Sequence, residues 1–377
     1  MTDAPARLET QELILNMGPQ HPSTHGVLHL VLRTDGEIVT GVDPTIGYLH
    51  RCAEKIAEQV TYAQFVPYAD RLDYLSGTNC DLGWCLAVER LAGIEVPERA
   101  RWLRVIFAEL NRIASHLIAF GCFGLDTGAF TPFLYAFRER ELILDILEAY
   151  AGSRLTTHNV RIGGMPKDLE PALAAKIRAF LDAFAPKIRD YHELLSYNNI
   201  FIARTAGIGV LAPALAIDHG VTGPCLRASG LPFDLRTIEP YSGYERFQFE
   251  VPVGRDGTGV VGDCWNRYFV RIREMEESAR IVRQALDGLP AGPVGPSGPR
   301  RPLKPPAGEV YVRSESPRGL LGFYIVSSGG ERPARVKIRA PSFSNLSVLP
   351  ALTRGVMLAD LVAILGSLDI VLGEIDR

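Results

Sequence analysis

The first part of the chain alternates between polar and apolar positions in the manner of β-strands. Within Val27–Leu32 every second residue is leucine, so these leucines would all face one side of an extended strand. A turn containing Gly36 separates this segment from Glu37–Val42, and glycine readily takes the positive φ of a tight hairpin. The apolar segment Glu12–Asn16 predicts one more strand. Residues 1–44 are therefore expected to form an antiparallel sheet.

Apolar residues then recur at every third or fourth position, which is the spacing of a helix that buries one face. One such series is Trp102, Ile106, Leu110, Ile113 and Leu117. The starts of four long helices are marked by residues that favour the first turn or the N-cap, namely Pro97, Pro132, Pro171 and Asp263. Residues 45–288 are therefore predicted to form a bundle of four or five long helices.

The helix that begins at Asp263 and ends near Gly288 is rich in charged residues. Charges repeated along one helix face are typical of a solvated surface. We therefore predict that this face points to solvent. Its members are Arg267, Arg271, Glu274, Glu277 and Arg280.

Two irregular segments interrupt the pattern. Residues 204–262 are rich in glycine and proline and too long for a bare loop, which predicts an ordered irregular insertion or a small β element. Residues 289–308 contain seven prolines, which exclude helix and central strand and indicate a stiff, extended segment. That segment can be a plain linker or a strap against a partner subunit. Residues 309–377 predict short strands and a last helix, so the fold class is α+β.

Composition and charge exclude several classes of protein. The 377 residues include 40 Lys+Arg and 43 Asp+Glu, and this balance argues against a protein that mainly neutralises nucleic-acid phosphates. No apolar run reaches the roughly 20 residues of a membrane-spanning helix, and residues 1–12 lack the apolar core of a signal peptide. We therefore expect a protein kept in the cytoplasm, with its six cysteines reduced and buried rather than in disulfides or zinc sites.

The common motifs of nucleotide binding and nucleophilic catalysis are not found in the expected contexts. No Gly-x-Gly-x-x-Gly follows a predicted strand, and the sequence has no Gly-x-x-x-x-Gly-Lys-Ser/Thr loop and no Gly-x-Ser-x-Gly elbow. These observations argue against a hydride-transfer enzyme, a kinase and a serine hydrolase. If the chain takes part in redox chemistry, we expect the electron carrier to belong to another protein.

His21 and His25 lie four residues apart in a polar loop between two predicted strands. On a helix this spacing would suit a pair of metal ligands, but Pro22 and the flanking glycines argue against a helix here. The two histidines can be metal ligands, hydrogen-bond donors to a ligand, or ordinary turn residues. A loop fixed between paired strands is a favourable position for a functional site.

Tyr74 and Asp126 are two further candidates. Tyr74 lies in Pro67–Ser76, where polar and aromatic residues interrupt an apolar stretch, and it can equally be a core tyrosine with a satisfied hydroxyl. Asp126 lies in Gly124–Gly128 and can simply cap a helix or a turn. The residue pattern alone leaves these alternatives open.

Long motifs spread over nearly the whole chain carry a family resemblance. They are Asn16–Gly26, Gly47–Arg51, Asp70–Tyr74, Arg112–Leu117, Arg138–Glu141, Arg161–Gly164, Arg236, Pro240–Tyr241, Ala340–Phe343 and Asp369–Arg377. With these motifs in this order the chain resembles the D-type, or 49-kilodalton, subunit of NADH-quinone oxidoreductase, respiratory complex I. The resemblance implies descent from the large subunit of nickel–iron hydrogenases and a fold similar to that subunit.

The hydrogenase metal ligands are missing from this sequence. Hydrogenases of that class hold their metals with two Cys-x-x-Cys pairs, whereas the corresponding segments here, Arg71–Ser76 and Asp369–Arg377, contain no cysteine. Because that centre needs thiolate ligands, hydrogenase activity is excluded. In the family the emptied cavity became the quinone headgroup pocket. The resemblance therefore implies quinone as the substrate, with no metal or flavin bound by this chain.

The resemblance also assigns roles to individual residues. His25 and Tyr74 match the family's ligands of the quinone headgroup, and Asp126 matches the carboxylate partnered with that histidine. His21 lies in the same loop and is expected to line the entrance of the pocket. These four residues, catalytic or close to the substrate, are the predicted quinone site.

Three more residues are expected near a [4Fe–4S] cluster that a neighbouring subunit ligates. Arg51 and Arg71 match arginines close to that cluster, and their charge would raise its potential. The family usually has a histidine at position 156, where this chain has Thr156, with His158 two residues later. This difference argues against a proton-coupled potential of the cluster. Cys52 and Leu320 also differ from the residues that are usual in the family.

Partners and location follow from the same resemblance. The expected partners are the cluster-bearing B-type subunit, the C-type 30-kilodalton-like subunit, other peripheral-arm subunits and the membrane subunit of the quinone channel, and no nucleic acid. The chain would lie on the cytoplasmic face of the bacterial inner membrane as a peripheral subunit held by its partners. Two other interpretations remain, namely a related complex fed by a donor such as ferredoxin, and a non-catalytic scaffold.

Overall fold

The N-terminal sheet forms as the alternating pattern predicts. The computed structural model describes residues 12–295 and 302–377. The first three strands are β1, Glu12–Met17, β2, His29–Asp35, and β3, Ile38–Thr45, which pair antiparallel in that order. Leu30 and Leu32 of β2 are buried, as their alternation requires. The connection from β1 to β2 is the loop that carries both candidate histidines.

Fifteen α-helices occupy the described residues. They are α1, Ala53–Ala57, α2, Val66–Ala69, α3, Gly77–Ala92, α4, Glu98–Asp126, α5, Thr131–Ala151, α6, Pro171–Tyr191, α7, Asn199–Thr205, α8, Pro213–Asp218, α9, Pro224–Ala228, α10, Leu235–Ile238, α11, Cys264–Asp287, α12, Pro341–Ser347, α13, Leu349–Thr353, α14, Leu358–Leu368, and α15, Leu372–Asp376. Five are long, namely α3, α4, α5, α6 and α11, and α4 packs against both α5 and α11. The predicted starts of α4, α5, α6 and α11 are confirmed.

Helix α4 is the central helix of this bundle. By length and composition alone it could cross a membrane. In the fold, however, 89% of its most apolar window is buried inside the protein. Its apolar surface is therefore covered by neighbouring helices of the same chain.

The charged face of α11 is buried, so the prediction of a solvated face was wrong. Arg267 and Glu274 are 0% exposed, Glu277 is 1% exposed and Arg271 is 4% exposed. Of the predicted set, Arg280 alone is exposed. Charged residues are rarely buried at this level unless they are paired or hydrogen-bonded.

Partners from distant parts of the chain compensate these buried charges. Glu274 of α11 accepts a hydrogen bond from Arg227 Nε at 2.8 Å and lies 2.9 Å from His116 Nε2. Arg227 in turn donates to Glu315 Oε1 at 2.7 Å. Burial tends to raise the pKa of Glu274, but the charge of Arg227 and the hydrogen bond with His116 hold that pKa below its usual value. The charges of α11 therefore join helices and sheet in the interior.

The segment before α11 has the glycine spacing of a dinucleotide-binding loop, but outside the strand context that such a loop requires. Gly257, Gly259 and Gly262 follow the Gly-x-Gly-x-x-Gly spacing and precede a helix. No strand leads into them in the described structure, and the side chain of Asp263 accepts from Asn266 N at 2.7 Å and from Val260 N at 2.8 Å. Because an aspartate of this chain already caps the helix, the spacing does not make a phosphate site.

The C-terminal region adds a second antiparallel sheet. Its strands are β4, Gly308–Ser316, β5, Gly319–Ser327, and β6, Pro333–Arg339, paired in that order. Strands β4 and β5 pack on α3. The last helix, α15, is buried, and Asp376 accepts hydrogen bonds from Gly47 N at 2.9 Å and Leu49 N at 2.7 Å. The carboxyl end of the chain therefore lies against the loop that follows β3.

The two irregular segments have different structures. Residues 204–262 contain short helices and no strand, so this segment is neither a bare loop nor a β element, while its description as an insertion in the bundle stays a prediction. Within the proline-rich segment, residues 296–301 lie outside the described structure. On either side of them Val294 O accepts from Met165 N at 2.7 Å and Pro305 O accepts from Ser327 Oγ at 3.2 Å. Both flanks are therefore held by this chain, while contact with a partner and the domain boundaries stay predictions.

Candidate functional site

His25 is presented by a short loop between β1 and β2. Pro22–Thr24 form one turn of 3-10 helix, and His25 follows it with φ 51°, in the left-handed region. Gly18 at the start of the loop has φ 88°, and a Cβ there would lie 2.1 Å from Leu28 O. Only glycine fits this approach, so the loop closes tightly and holds the histidine against the helical bundle.

The imidazole of His25 meets the carboxylate of Asp126, the last residue of α4. Its Nε2 lies 2.6 Å from Asp126 Oδ2, and the two side chains are 16% and 10% exposed. Gly366 of α14 leaves the room for this pair, because a Cβ there would lie 2.5 Å from Asp126 Oδ2. The structure therefore brings together two predicted site residues that are about a hundred positions apart in the sequence.

The surroundings favour the protonated form of His25. Burial lowers the pKa of this imidazole, but the hydrogen bond and charge of Asp126, assisted by the charge of Asp369, outweigh burial and raise the pKa above its usual value. The charge of Arg318 acts in the opposite direction. His25 is thus a group that can carry a proton at neutral pH and deliver it to a neighbour.

Tyr74 borders the same region and is partly open to solvent. Its side chain is 38% exposed, and its ring packs against Gly373, where a Cβ would lie 3.2 Å from Tyr74 Cε1. Burial of the phenol and the charge of Asp73 raise its pKa, while Arg318 lowers it. The hydroxyl is therefore held in its neutral, donating form at physiological pH.

Arg318 links the surroundings of His25 and Tyr74. Its guanidinium is buried and donates to Asp73 Oδ2 at 2.8 Å and to Asp369 Oδ1 at 3.2 Å. It influences the pKa of both His25 and Tyr74. Arg318 was not among the predicted site residues, because its sequence context offers no signal beyond its position two residues before the unusual Leu320.

His21 does not join this constellation. Its side chain is exposed, and its Nδ1 accepts a hydrogen bond from Ser23 N at 3.2 Å, which caps the short 3-10 turn. In this structure His21 therefore acts as an ordinary turn residue, which is one of the alternatives that the sequence left open. A position at the entrance of a pocket stays a prediction.

The predicted cluster-facing residues form a second group. Arg51 Nη2 donates to Arg71 O at 2.6 Å, and Arg71 Nη1 donates to Asp70 Oδ1 at 3.0 Å. Arg71 also lines an open groove of about 510 Å³ together with Tyr68 and neighbouring residues. The two arginines are thus adjacent and accessible, and their position next to a partner's cluster stays a prediction.

Thr156 lies in the irregular segment after α5, with φ 50°. Because this segment is not a helix, the position of His158 does not follow from helical spacing. The structure directs His158 towards Asp70, with Nδ1 2.8 Å from Asp70 Oδ2. His158 is therefore close to the Arg51 and Arg71 group, whereas Thr156 has no titratable side chain to offer there.

Comparison with known proteins agrees with this architecture. The family model described as "Respiratory-chain NADH dehydrogenase, 49 Kd subunit" matches residues 126–302 and 299–377. The chain is similar to the second D-type NADH-quinone oxidoreductase subunit of Solibacter usitatus, with 53% identity over 370 residues that cover 98% of each chain. It is also similar to the D-type subunit of Chlorobium luteolum, with 50% identity over 98% of this chain and 94% of the relative, and to that of Desulforamulus reducens, with 49% identity over 98% and 99%.

These matches extend over almost the full length and include the loop of His25, the end of α4 and the C-terminal segment. The class of the protein is therefore a subunit of a respiratory oxidoreductase complex. Within that class the chain belongs to the family of the 49-kilodalton subunit of respiratory-chain NADH dehydrogenase.

Proposed function

We propose that this chain forms the quinone headgroup pocket of a proton-translocating NADH-quinone oxidoreductase, together with a cluster-bearing partner subunit. The observation that carries the proposal is the 2.6 Å pair of His25 and Asp126, together with the partly exposed phenol of Tyr74, which the charge of the same buried Arg318 reaches. An imidazole with a raised pKa and a neutral phenol can supply the two protons that quinone reduction takes up.

The two donors would act on opposite carbonyl oxygens of the quinone. Reduction to quinol takes up two electrons and two protons, and negative charge develops on the carbonyl oxygens as the electrons arrive. Because Nε2 of His25 faces Asp126, Nδ1 is the ring nitrogen left for the headgroup. Tyr74 would donate its hydroxyl proton to the other carbonyl oxygen. Asp126 fixes the ring orientation of His25 and stabilises its protonated form.

The buried Arg318 would support both donors from behind. It is held between Asp73 and Asp369, so its position is fixed before substrate arrives. A positive charge fixed near the donors favours negative charge on the substrate without reorganisation at the moment of reaction. Arg318 would act through the field at the pocket, since its guanidinium already donates to the two carboxylates, to Ser115 Oγ and to the backbone oxygen of Asp369.

The electrons would come from a [4Fe–4S] cluster that the B-type partner holds. Such a cluster needs several cysteine thiolates, and the one group of three potential metal ligands formed by the described residues contains no cysteine. Arg51 and Arg71 would face that partner. We propose the other peripheral-arm subunits, including the C-type subunit, and the quinone-channel membrane subunit as further partners, which would hold this chain peripherally on the cytoplasmic side of the membrane.

Exchange of Tyr74 for phenylalanine tests the proposal. Tyr74→Phe keeps the ring against Gly373 and removes one hydroxyl, so the complex is expected to assemble at normal abundance. Loss of one donor aimed at developing charge typically costs about 3 kcal/mol, which corresponds to a roughly hundredfold slower turnover. The measurement is quinone reduction by the intact complex with a short-chain quinone. Turnover at the wild-type rate in a normally assembled complex would refute the assignment.

A further inference from the structure

Three potential metal ligands converge at a place that the quinone site does not use. One oxygen of Asp70, one oxygen of Asp81 and one ring nitrogen of His158 all lie within 4.8 Å of one another. Asp70 follows α2, Asp81 lies in α3, and His158 lies in the irregular segment after α5. Three separate elements of the fold therefore direct these side chains to one point.

Asp81 is the most unusual member of the group. Its side chain is fully buried, and among the described residues neither of its oxygens has a hydrogen-bond partner. The charge of Asp70 acts on this carboxylate, and the charges of Arg71 and Arg161 act in the opposite direction without donating a hydrogen bond to it. A buried carboxylate in this position has to be neutralised by a proton or by a cation.

The other two members also direct free lone pairs to this point. Asp70 Oδ1 accepts from Arg71 Nη1 at 3.0 Å, which leaves Oδ2 available. Asp70 Oδ2 and His158 Nδ1 are 2.8 Å apart, yet neither atom makes a hydrogen bond of acceptable geometry within the described residues. When Nδ1 carries no proton, the two atoms are both acceptors, and a shared cation removes their repulsion because each lone pair then points at the metal.

The backbone and the surface around His158 fit a binding site that an ion can reach. His158 has φ 46°, which is uncommon for a residue other than glycine and is retained where the surroundings hold the side chain. Its side chain is 26% exposed. It lines an open groove of about 420 Å³ with Glu148, Arg161 and their neighbours. A hydrated ion can therefore reach the buried carboxylates past the imidazole.

We propose that Asp70, Asp81 and His158 bind one divalent first-row transition ion of the Mn²⁺ or Zn²⁺ type. Two carboxylates and one imidazole are a mixed oxygen and nitrogen donor set, which suits these ions better than Ca²⁺ or Mg²⁺. Water from the groove would complete the coordination. The site shares no residue with the His25 and Asp126 pair, so it does not depend on the proposed quinone chemistry. It revises the sequence-based expectation that the chain binds no metal.

The test is metal binding by the intact purified complex. Complex stripped with a chelator is titrated with Mn²⁺, and the signal of free Mn²⁺ is followed by electron paramagnetic resonance at room temperature. The variants are Asp81→Asn and His158→Ala. The matched control is Glu148→Gln, which removes an exposed carboxylate from the mouth of the same groove.

We expect one site per complex in the wild type and in Glu148→Gln. Affinity should fall at least about tenfold in Asp81→Asn and in His158→Ala, because loss of even an outer-shell partner commonly costs that much. Zn²⁺ should displace the bound Mn²⁺ in the wild type. If Asp81→Asn does not assemble, the partly exposed His158→Ala decides alone. The proposal is overturned if the wild type binds no Mn²⁺ beyond the level of His158→Ala, which would leave a proton on Asp81 as the neutralising species.

Discussion

Two histidine–carboxylate pairs in this molecule have similar geometry, but the pKa of the histidine is shifted upward in one pair and downward in the other. His25 lies 2.6 Å from Asp126 at the edge of the fold, and His116 lies 2.9 Å from Glu274 in the centre of the bundle. The pKa of His25 is raised above its usual value, whereas the pKa of His116 is lowered. A hydrogen bond to a carboxylate therefore does not by itself decide whether a histidine carries a proton.

The difference arises from what surrounds each pair. Burial lowers the pKa of both imidazoles, but His116 is completely buried and also faces the charges of Arg112 and Arg271. His25 has a second carboxylate nearby, Asp369, and one opposing arginine. In the central pair the carboxylate is already compensated by Arg227. The central histidine is therefore a neutral structural partner, while the peripheral histidine is suited to holding a transferable proton.

The largest effect is expected from breaking the central network. Glu274→Gln removes the charge that compensates Arg227 and leaves a buried guanidinium without that partner. Loss of one member of a buried pair typically costs about 3–5 kcal/mol of stability. We expect little assembled complex, measured by its abundance in membranes and by its midpoint of thermal inactivation. The control is Glu276→Gln on the same helix, where a partly exposed pair with Arg273 is removed; equal losses in both variants would contradict the role of the network.

The second largest effect, on quinone reduction, is expected from a change in the peripheral pair of His25 and Asp126. Asp126→Asn removes the carboxylate that raises the pKa of His25, so burial would leave that pKa lower. If protonated His25 serves quinone reduction, activity falls as pH rises through its pKa, and this alkaline limb should move to lower pH in the variant. We expect at least about tenfold lower turnover above neutral pH, within the usual range for loss of an acid catalyst. An unmoved alkaline limb would separate His25 from proton delivery.

His116→Gln is the matched change in the central pair. Because His116 is neutral, its lowered pKa stabilises the fold above the unfolded value near 6.5, and this contribution is lost as pH falls below it. Glutamine can still donate to Glu274 and does not titrate. We expect the variant to lose about 1 kcal/mol of stability at neutral pH, because packing is less favourable and one hydrogen bond is altered. We also expect its thermal stability to fall less than that of the wild type when the pH is lowered. The pH profile of quinone reduction should stay that of the wild type.

The smallest effect, on the pH dependence of the partner cluster's potential, is expected from a change at Thr156 in the proposed cluster-facing group. Thr156 does not titrate, so the potential of the partner's cluster should be nearly constant between about pH 6 and 8, the range around the usual imidazole pKa. Redox titration followed by electron paramagnetic resonance measures this. Thr156→His should introduce a negative slope with pH, because a reduced cluster nearby favours imidazolium. A slope near one proton per electron in the wild type would show that His158 or another group titrates with the cluster.

The strands and helix starts could be predicted because their signals are local. Leucine alternation in β2, the prolines of α4 to α6 and the Asp263 cap each act within a few residues. The charged face of α11 could not be assigned correctly, since the same helical spacing of charges suits solvent or a buried network. Its partners, such as Arg227 and His116, come from other elements, and only the fold shows that they are present.

The site was predictable to a different degree for each residue. Residue patterns left His25, Tyr74 and Asp126 open, and the family resemblance singled them out. The structure then supplied what neither could give, namely the 2.6 Å contact across a separation of about a hundred residues and the buried Arg318 behind it. Asp81 was missed because an aspartate in an apolar helix has no distinctive sequence signal until Asp70 and His158 are seen beside it.

The central claim is that His25 and Tyr74 hold the quinone headgroup, and a structure of the intact complex with a short-chain quinone bound tests it most directly. We expect one carbonyl oxygen within hydrogen-bond distance of His25 Nδ1 and the other within hydrogen-bond distance of the Tyr74 hydroxyl, with Asp126 still on Nε2 of the histidine. A headgroup resolved in the complex without contact to either side chain would contradict the account.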